Sequence, residues 1–379
     1  MITKLITNDF PEALILLAIL ILCLAFSQLF LRKLDVLPNQ VINRNSTLDG
    51  LRGILALSVL AHHFYITYTW KTGIGWIKPN TFLLNNLGSV SVSLFFLITG
   101  FLFINKLRDS NLNWKKLYFS RIKRIFPLYV SVFLLVTVIT FFMTTDSYHF
   151  SDFLTYLKNW LRFKGATLGG FDSSRVIAYV QWTLLYEWGF YFLLPIIYII
   201  WHRKLIRPFP LWLILVFLAA YYILRNSHLK LYYLFVLAIP AVIFASQISS
   251  FISKKPKITH CLVIAVTLIN LFLTDGYSIL QMCLTAFIFS FIANGYSYFG
   301  ILNNLNFKKL GEISFSIYLT HGIVLYLAFT IFHIYDFSQQ NLLHYIFYFP
   351  LIFIFVILCS LITYHFIEKP FLYSKKSNK

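Results

Sequence analysis

The chain has 379 residues, 59% of them hydrophobic and only 12% charged, a balance that excludes an ordinary soluble domain. Its net charge of +19 would suggest nucleic acid in a soluble protein. Here the basic residues fall in alternate gaps between apolar runs, so the excess is a topology signal and nucleic acid is not implied.

Runs of about 17–22 apolar residues, each long enough for ~30 Å of hydrocarbon, recur along the whole length. They predict an all-α, polytopic transmembrane bundle of about eleven spans. The predicted spans are roughly 12–31, 51–69, 86–105, 125–143, 177–201, 209–224, 231–247, 258–274, 278–297, 311–332 and 343–366. Residues 1–44 read as an N-terminal helix with a cytoplasmic linker, 45–371 as the membrane domain and 372–379 as a basic cytoplasmic tail. One set of loops holds 23 of the 32 Lys and Arg residues, which predicts a cytoplasmic C-terminus and, with an odd span count, an outside N-terminus.

The first span follows Lys4, Asp9 and Glu12, without the positive flank of a signal peptide, and is expected to be retained. The second carries Arg52 and His63 on one apolar segment. Eleven helical residues at ~100° each bring the two to one face, about 16 Å apart along the axis. Ionisable groups in lipid are costly and usually functional. His62 is turned away by ~100°, so His63 is the favoured general base. The fourth span opens on Arg121-Ile122-Lys123-Arg124. Two arginines three apart share a helical face and suit bidentate phosphate binding; the alternative is an ordinary positive flank.

The longest gap, about Thr144 to Val176, reads as a loop or a small cap. Glu187 lies well inside the next span, after Trp182. A carboxylate there needs a partner or neutralisation, and it reads as either an interhelical clamp or a second catalytic or acceptor-binding group in the outer half. The tenth span holds Tyr318 and His321; a lone histidine of this kind reads first as an interhelical hydrogen-bond donor. Glu368 beside Lys369 reads as a helix-end anchor. Cys23, Cys261, Cys283 and Cys359 are scattered without metal spacing and read as packing residues. No metal site, P-loop or internal repeat is expected.

Six segments in order resemble the integral-membrane acyltransferase family 3. Arg52 and His63, after Leu48-Asp49-Gly50-Leu51, match its arginine–ten residues–histidine opening. Ser93 to Phe101 looks like its FFxxSG segment with Thr99 for serine, and Arg121 to Tyr129 like its basic–proline–aromatic segment. Trp182-Thr183-Leu184 with Glu187, Phe190 and Tyr191 is similar to its W-S-L…E…F-Y segment. Tyr318-Leu319 with His321, and Glu368-Lys369-Pro370, match its closing motifs. The family commonly has ten spans, so the first helix is an addition, and the chain is expected to lack the SGNH-type C-terminal domain of many members.

The resemblance implies a bacterial inner-membrane enzyme moving an acyl group, usually acetyl, from cytoplasmic acyl-CoA to a hydroxyl of a surface carbohydrate such as O-antigen or capsule. Acyl-CoA would be a co-substrate, with no bound cofactor. Arg52, Arg121 and Arg124 would hold its phosphates, His63 would act on the hydroxyl or carry the acyl group, and Glu187 would orient acceptor or histidine. Trp182 would stack on sugar or be an ordinary interfacial aromatic, and Tyr318 and His321 would serve the acceptor or the structure. The alternative reading is a transporter or flippase of a lipid-linked sugar, whose marks would be inverted repeats or a pair of interrupted helices. Oligomeric state is not read from the sequence.

Overall fold

The computed structural model describes residues 9–32, 47–109, 111–202 and 228–373. The span expected at 209–224, most of the linker and the basic tail lie outside the described residues. The described residues form helices α1 (Phe10–Arg32), α2 (Thr47–Lys71), α3 (Phe82–Leu107), α4 (Trp114–Met143), α5 (Phe150–Leu161) and α6 (Trp182–His202). They continue with α7 (Ala245–Lys254), α8 (Pro256–Leu273), α9 (Ile279–Ala293), α10 (Leu305–Glu312), α11 (Ser314–Tyr326) and α12 (Phe349–Thr363). The sheet content among them is one antiparallel hairpin, Thr167–Leu168 with Phe171–Asp172.

Seven helical stretches are long and apolar enough to cross a membrane, or eight if one bent pair counts as a span. This is a multi-pass membrane protein. Its outer faces are apolar, as on α4, where Leu134 is 57% and Phe142 85% exposed; such a surface suits lipid. α2 is equally long at 25 residues, and Arg52, His62 and His63 are what dilute its apolar character.

Several boundaries differ from the expected ones. α4 begins at Trp114, three turns before the apolar run, capped by Asn113 accepting from Lys116 N. Hydropathy misses that start because the first turns are basic. The span expected at 231–247 is broken: Leu229–Ile243 meets α7 at 65°. The bend falls at Phe244, between the helical turn Ile239–Ile243 and α7, while Pro240, without an N–H, separately interrupts the bonds to the turn before it. α6 begins at Trp182, because residues 173–177 form a separate 3-10 turn and Ala178 and Tyr179 have φ of 53° and 58°.

The stretch from Thr144 to Gln181 is an ordered cap. Tyr129 OH donates to the Trp160 carbonyl at 2.6 Å, and Trp160 Nε1 donates to Ser173 Oγ at 3.1 Å. Its last turn enters the bundle. A Cβ on Gly322 would stand 2.3 Å from the Ile177 carbonyl carbon, so glycine admits this loop beside α11.

The added helix α1 is docked, not loose. Lys309 Nζ donates to the Leu31 carbonyl at 2.6 Å, Asn306 Nδ2 to that of Gln28 at 3.1 Å, and Tyr65 OH to Asp9 Oδ2 at 2.5 Å. The first satisfies a carbonyl in the last turn of α1, which has no intrahelical partner. α2 lies against α10 at the closest contact of the bundle: a Cβ on Gly311 would meet the Asp49 carbonyl oxygen at 1.7 Å, and one on Gly53 would meet Leu310 Cβ at 2.5 Å.

A buried polar knot ties α3 to α8 and α9. Asn86 Nδ2 lies 3.1, 3.0 and 2.7 Å from the carbonyls of Asn270, Leu271 and Thr274, and its Oδ1 accepts from Gln281 Nε2 at 2.7 Å. Asn86→Ala leaves these groups short of a partner. It is expected to lower unfolding stability in detergent or lipid by about 1–2 kcal/mol; unchanged thermal unfolding of the variant would contradict this role.

Candidate active site

α2 and α11 run side by side in the same direction. Arg52 and Ser314 lie near their starts, His63 and His321 farther along, and Trp70 and Tyr326 at their ends. The starts carry the basic residues, so we call this the basic end of the bundle.

A cavity of about 290 Å³ lies toward that end, lined by Arg52, Arg121, Arg124, Lys106, Glu187 and Tyr318 among others. The two arginines of α4 thus point where the shared helical face predicted, and Arg52 joins them from α2. Arg121 and Lys106 both sit over the Phe103 ring, at 5.4 and 5.3 Å, which gives two cations an apolar support. A cluster of cations around a cavity at a membrane face is suited to a polyanion.

Glu187 lies on the side of the basic end of the bundle. It faces this cavity, where it accepts from Thr99 Oγ1 at 3.1 Å and Tyr191 OH at 3.3 Å. The reason is the entering loop: α6 starts deep, so its second turn is already level with Thr99, eight residues before the end of α3. Trp182 is partly buried, with its ring 6.3 Å from Phe96, 5.5 Å from Tyr186 and 6.4 Å from Tyr277. Tyr318 closes the inner limit of the cavity. Its hydroxyl meets Thr183 Oγ1 at 3.1 Å, and its ring lies 5.9 Å from Phe95 and 6.1 Å from His321.

Beyond Tyr318 are the histidines. His63 Nδ1 and His321 Nε2 are 3.0 Å apart, and His321 Nδ1 is 3.1 Å from the Ile317 carbonyl. With both rings neutral the tautomers follow from the partners. A carbonyl only accepts, so His321 Nδ1 carries hydrogen and its Nε2 is bare. His63 Nδ1 must then donate to that bare nitrogen, which leaves the lone pair on His63 Nε2. The expected interhelical role of His321 is therefore accompanied by a more specific one: it fixes the ring and tautomer of His63, as the orienting partner does in other histidine sites.

His62 serves packing instead. Its Nδ1 lies 2.7 Å from the Leu84 carbonyl, joining α2 to α3. Glu368 is also not a surface anchor: it is 1% exposed and accepts from Ser316 Oγ. It sits in the π-helical turn Tyr364–Glu368, whose extra residue turns the side chain inward.

Toward the other end the His63 ring stacks with Trp76 at 6.3 Å and an interplanar angle of 28°. Trp76 comes from the loop after α2, which turns back through Gly75 at φ 113°, a conformation that favours glycine. Beside it, Tyr179 OH donates to Asp172, and Arg175 Nε is 3.5 Å from Asp172 Oδ2. Burial, and then the bond to Asp172, push the Tyr179 phenol up. Sequence reading missed Trp76, since nothing in its spacing tells that the loop folds back, and missed Thr99 as the partner of Glu187.

A family model described as an acyltransferase domain matches residues 45–365. The chain belongs to this family of integral-membrane acyltransferases. It is similar to the acyltransferase MdmB of Streptomyces mycarofaciens, 28% identical over 186 residues, 46% of this chain and 43% of that one. It is also similar to ORF330 of Acidianus two-tailed virus, named provisionally as an acetyltransferase, at 31% identity over 158 residues, 41% of this chain and 42% of the relative. A third relative is YrhL of Bacillus subtilis, provisionally named a peptidoglycan O-acetyltransferase, 27% identical over 165 residues, 40% of this chain and 23% of that one. The matched stretch spans less than half the length of each of these relatives. No solved structure was found to match the chain.

The family match covers both ends of the Arg52–His63 segment and the whole cavity, and it begins after α1. The histidine pair yields a direct prediction. Nitrogen-15 NMR of labelled protein should show His63 protonated at Nδ1 and bare at Nε2, and His321→Leu should release it into both tautomers. A His63 signal that does not change in His321→Leu would refute the pairing.

Proposed function

We propose that this protein is a membrane O-acyltransferase that takes an acyl group from acyl-CoA at its basic end and passes it to a hydroxyl arriving from the opposite face. The single observation that carries this reading is the placement of the arginine-lined cavity and the His63–His321 pair on either side of Tyr318, along the two parallel helices α2 and α11. Arg52, Arg121 and Arg124 supply the charge that the nucleotide phosphates need. A cavity of about 290 Å³ suits an extended pantetheine arm, with the nucleotide at its mouth. The arm has to cover the ~16 Å between Arg52 and His63, passing Tyr318 to bring the thioester carbonyl to the histidine.

In the proposed reaction His63 Nε2 takes the proton from the acceptor hydroxyl as its oxygen attacks the thioester carbonyl. The carbon–sulfur bond then breaks, and the thiolate leaves with the proton held by His63. No acyl-histidine is needed, because donor and acceptor reach His63 from different sides and can be present together. Glu187, held by Thr99 and Tyr191 on the donor side, is placed to orient the arm or a cavity arginine and not the acceptor. His321 is a positioning residue. Acetyl as the group, a carbohydrate as the acceptor and the bacterial inner membrane as the location, with the basic end cytoplasmic, complete the proposal; they are supported by the family and by the charge distribution.

The test uses purified protein in lipid vesicles with labelled acetyl-CoA. Wild type should release thiol. His63→Ala should lower that rate at least ~100-fold, the usual scale of a lost general base, with His62→Ala near wild type. Arg52→Ala and Arg121→Ala should raise the acetyl-CoA KM. If wild type neither binds nor consumes acetyl-CoA, the acyl-transfer reading fails and transport of a lipid-linked sugar takes its place. The bent element Leu229–Lys254 is the one broken pair among the described residues, without the partner that an inverted repeat would supply.

A further inference from the structure

The face of His63 away from the cavity, from which the reaction above brings its hydroxyl, is built from residues to which that reaction gives no role. Trp76 stacks on His63 at 6.3 Å, and behind it rings continue outward: Trp76 to Tyr179 at 5.2 Å, Trp76 to Trp70 at 5.8 Å, and Trp70 to Tyr326 at 6.3 Å. Trp76, Trp70 and Tyr179 are all only partly buried. An aromatic path from the far face to a histidine is an unusual lining for a place where no aromatic core is needed.

The polar groups of this mouth are already matched to each other. Arg175 pairs with Asp172 at 3.5 Å, lies 3.3 Å from Tyr179 OH and stands 5.5 Å over the Trp70 ring. The Arg175 and Asp172 side chains remain 40% and 26% exposed, so they keep hydrogen-bonding capacity without offering a free charge. Lys71 is a second cation here, its Nζ resting over the Trp70 and Phe337 rings at 5.4 and 6.0 Å, and Lys78, two residues after Trp76, is exposed.

We propose that Trp76, with Tyr179 and the Arg175–Asp172 pair, forms the acceptor subsite, and that it holds an uncharged pyranose ring beside His63. A pyranose has flat faces of C–H bonds and a rim of hydroxyls. The indole gives the face an apolar, electron-rich surface, while Asp172, Tyr179 and Arg175 meet the rim. A hydroxyl at the edge nearest His63 is then in reach of Nε2. A uronate would find its natural partner, Arg175, already committed to Asp172, and would bring an unpaired charge toward the bundle, which is unfavourable.

The inference rests on the acyl-transfer reading, and the experiment separates the two. Protein in vesicles is given labelled acetyl-CoA with methyl α-D-glucopyranoside or the matching methyl glucuronide. Wild type should label the glucoside and favour it over the glucuronide. Trp76→Ala should raise the glucoside KM about tenfold, equivalent to ~1.4 kcal/mol, while the acetyl-CoA KM stays within about twofold. Trp76→Phe, which keeps an aromatic face and guards against misfolding, should recover most of the loss. An unchanged glucoside KM in Trp76→Ala, a preference for the glucuronide, or thioester hydrolysis with no transfer to either sugar would each overturn the subsite. Wild type that leaves acetyl-CoA untouched would instead overturn acyl transfer itself.

Discussion

The site depends on how closely α2 can approach α10 and α11. Gly53 and Gly311 let the backbones meet where a Cβ would collide with Leu310 Cβ or with the Asp49 carbonyl, and small residues at such crossings are the usual means of close packing in membranes. That contact fixes the height of α2 relative to α11. Because both helices then run the same way, every later pairing is a matter of register. Arg52 falls level with the start of α11, and His63 falls level with His321. A substitution that pushed α2 outward would break the histidine pair and misplace Arg52 together, so the glycines are as much part of the site as the charges.

A second consequence is a division of labour along one axis. Charge is collected at one end, in Arg52, Arg121, Arg124 and Lys106 around a cavity. The opposite end presents aromatic rings and a matched ion pair. The barrier between them is thin: the Tyr318 ring and the two imidazoles beyond it. Ionisable groups within the span of a membrane are expensive unless they are paired or face a cavity, and each of these has such a setting. Glu187 has Thr99 and Tyr191, Glu368 has Ser316, and His321 has both a carbonyl and His63.

What the sequence shows best is anything that a single helix decides. The common face of Arg52 and His63, the preference for His63 over His62, and the joint orientation of Arg121 and Arg124 follow from 3.6-residue periodicity alone. Pairings between helices do not. That His321 orients His63, and that Thr99 holds Glu187, depends on which helices are neighbours and at what height. The start of α6 is hidden for the same reason: an apolar run counted from 177 includes a loop that enters the bundle beside Gly322 before the helix begins. Hydropathy also cannot see the break at Phe244, since both halves of Leu229–Lys254 are apolar enough to be summed into one span. Trp76 was hidden most completely, because its position depends on a loop folding back over the end of its own helix.

The central claim is that two reactants meet at His63 from opposite faces, and sidedness tests it most directly. In sealed vesicles holding the protein in one orientation, labelled acetyl-CoA is supplied only on the side of Arg52 and Arg121, and methyl α-D-glucopyranoside only on the side of Trp76. The account predicts labelled sugar on the Trp76 side, and none when both reactants are confined to either single side. Efficient transfer with both reactants on one side would contradict it.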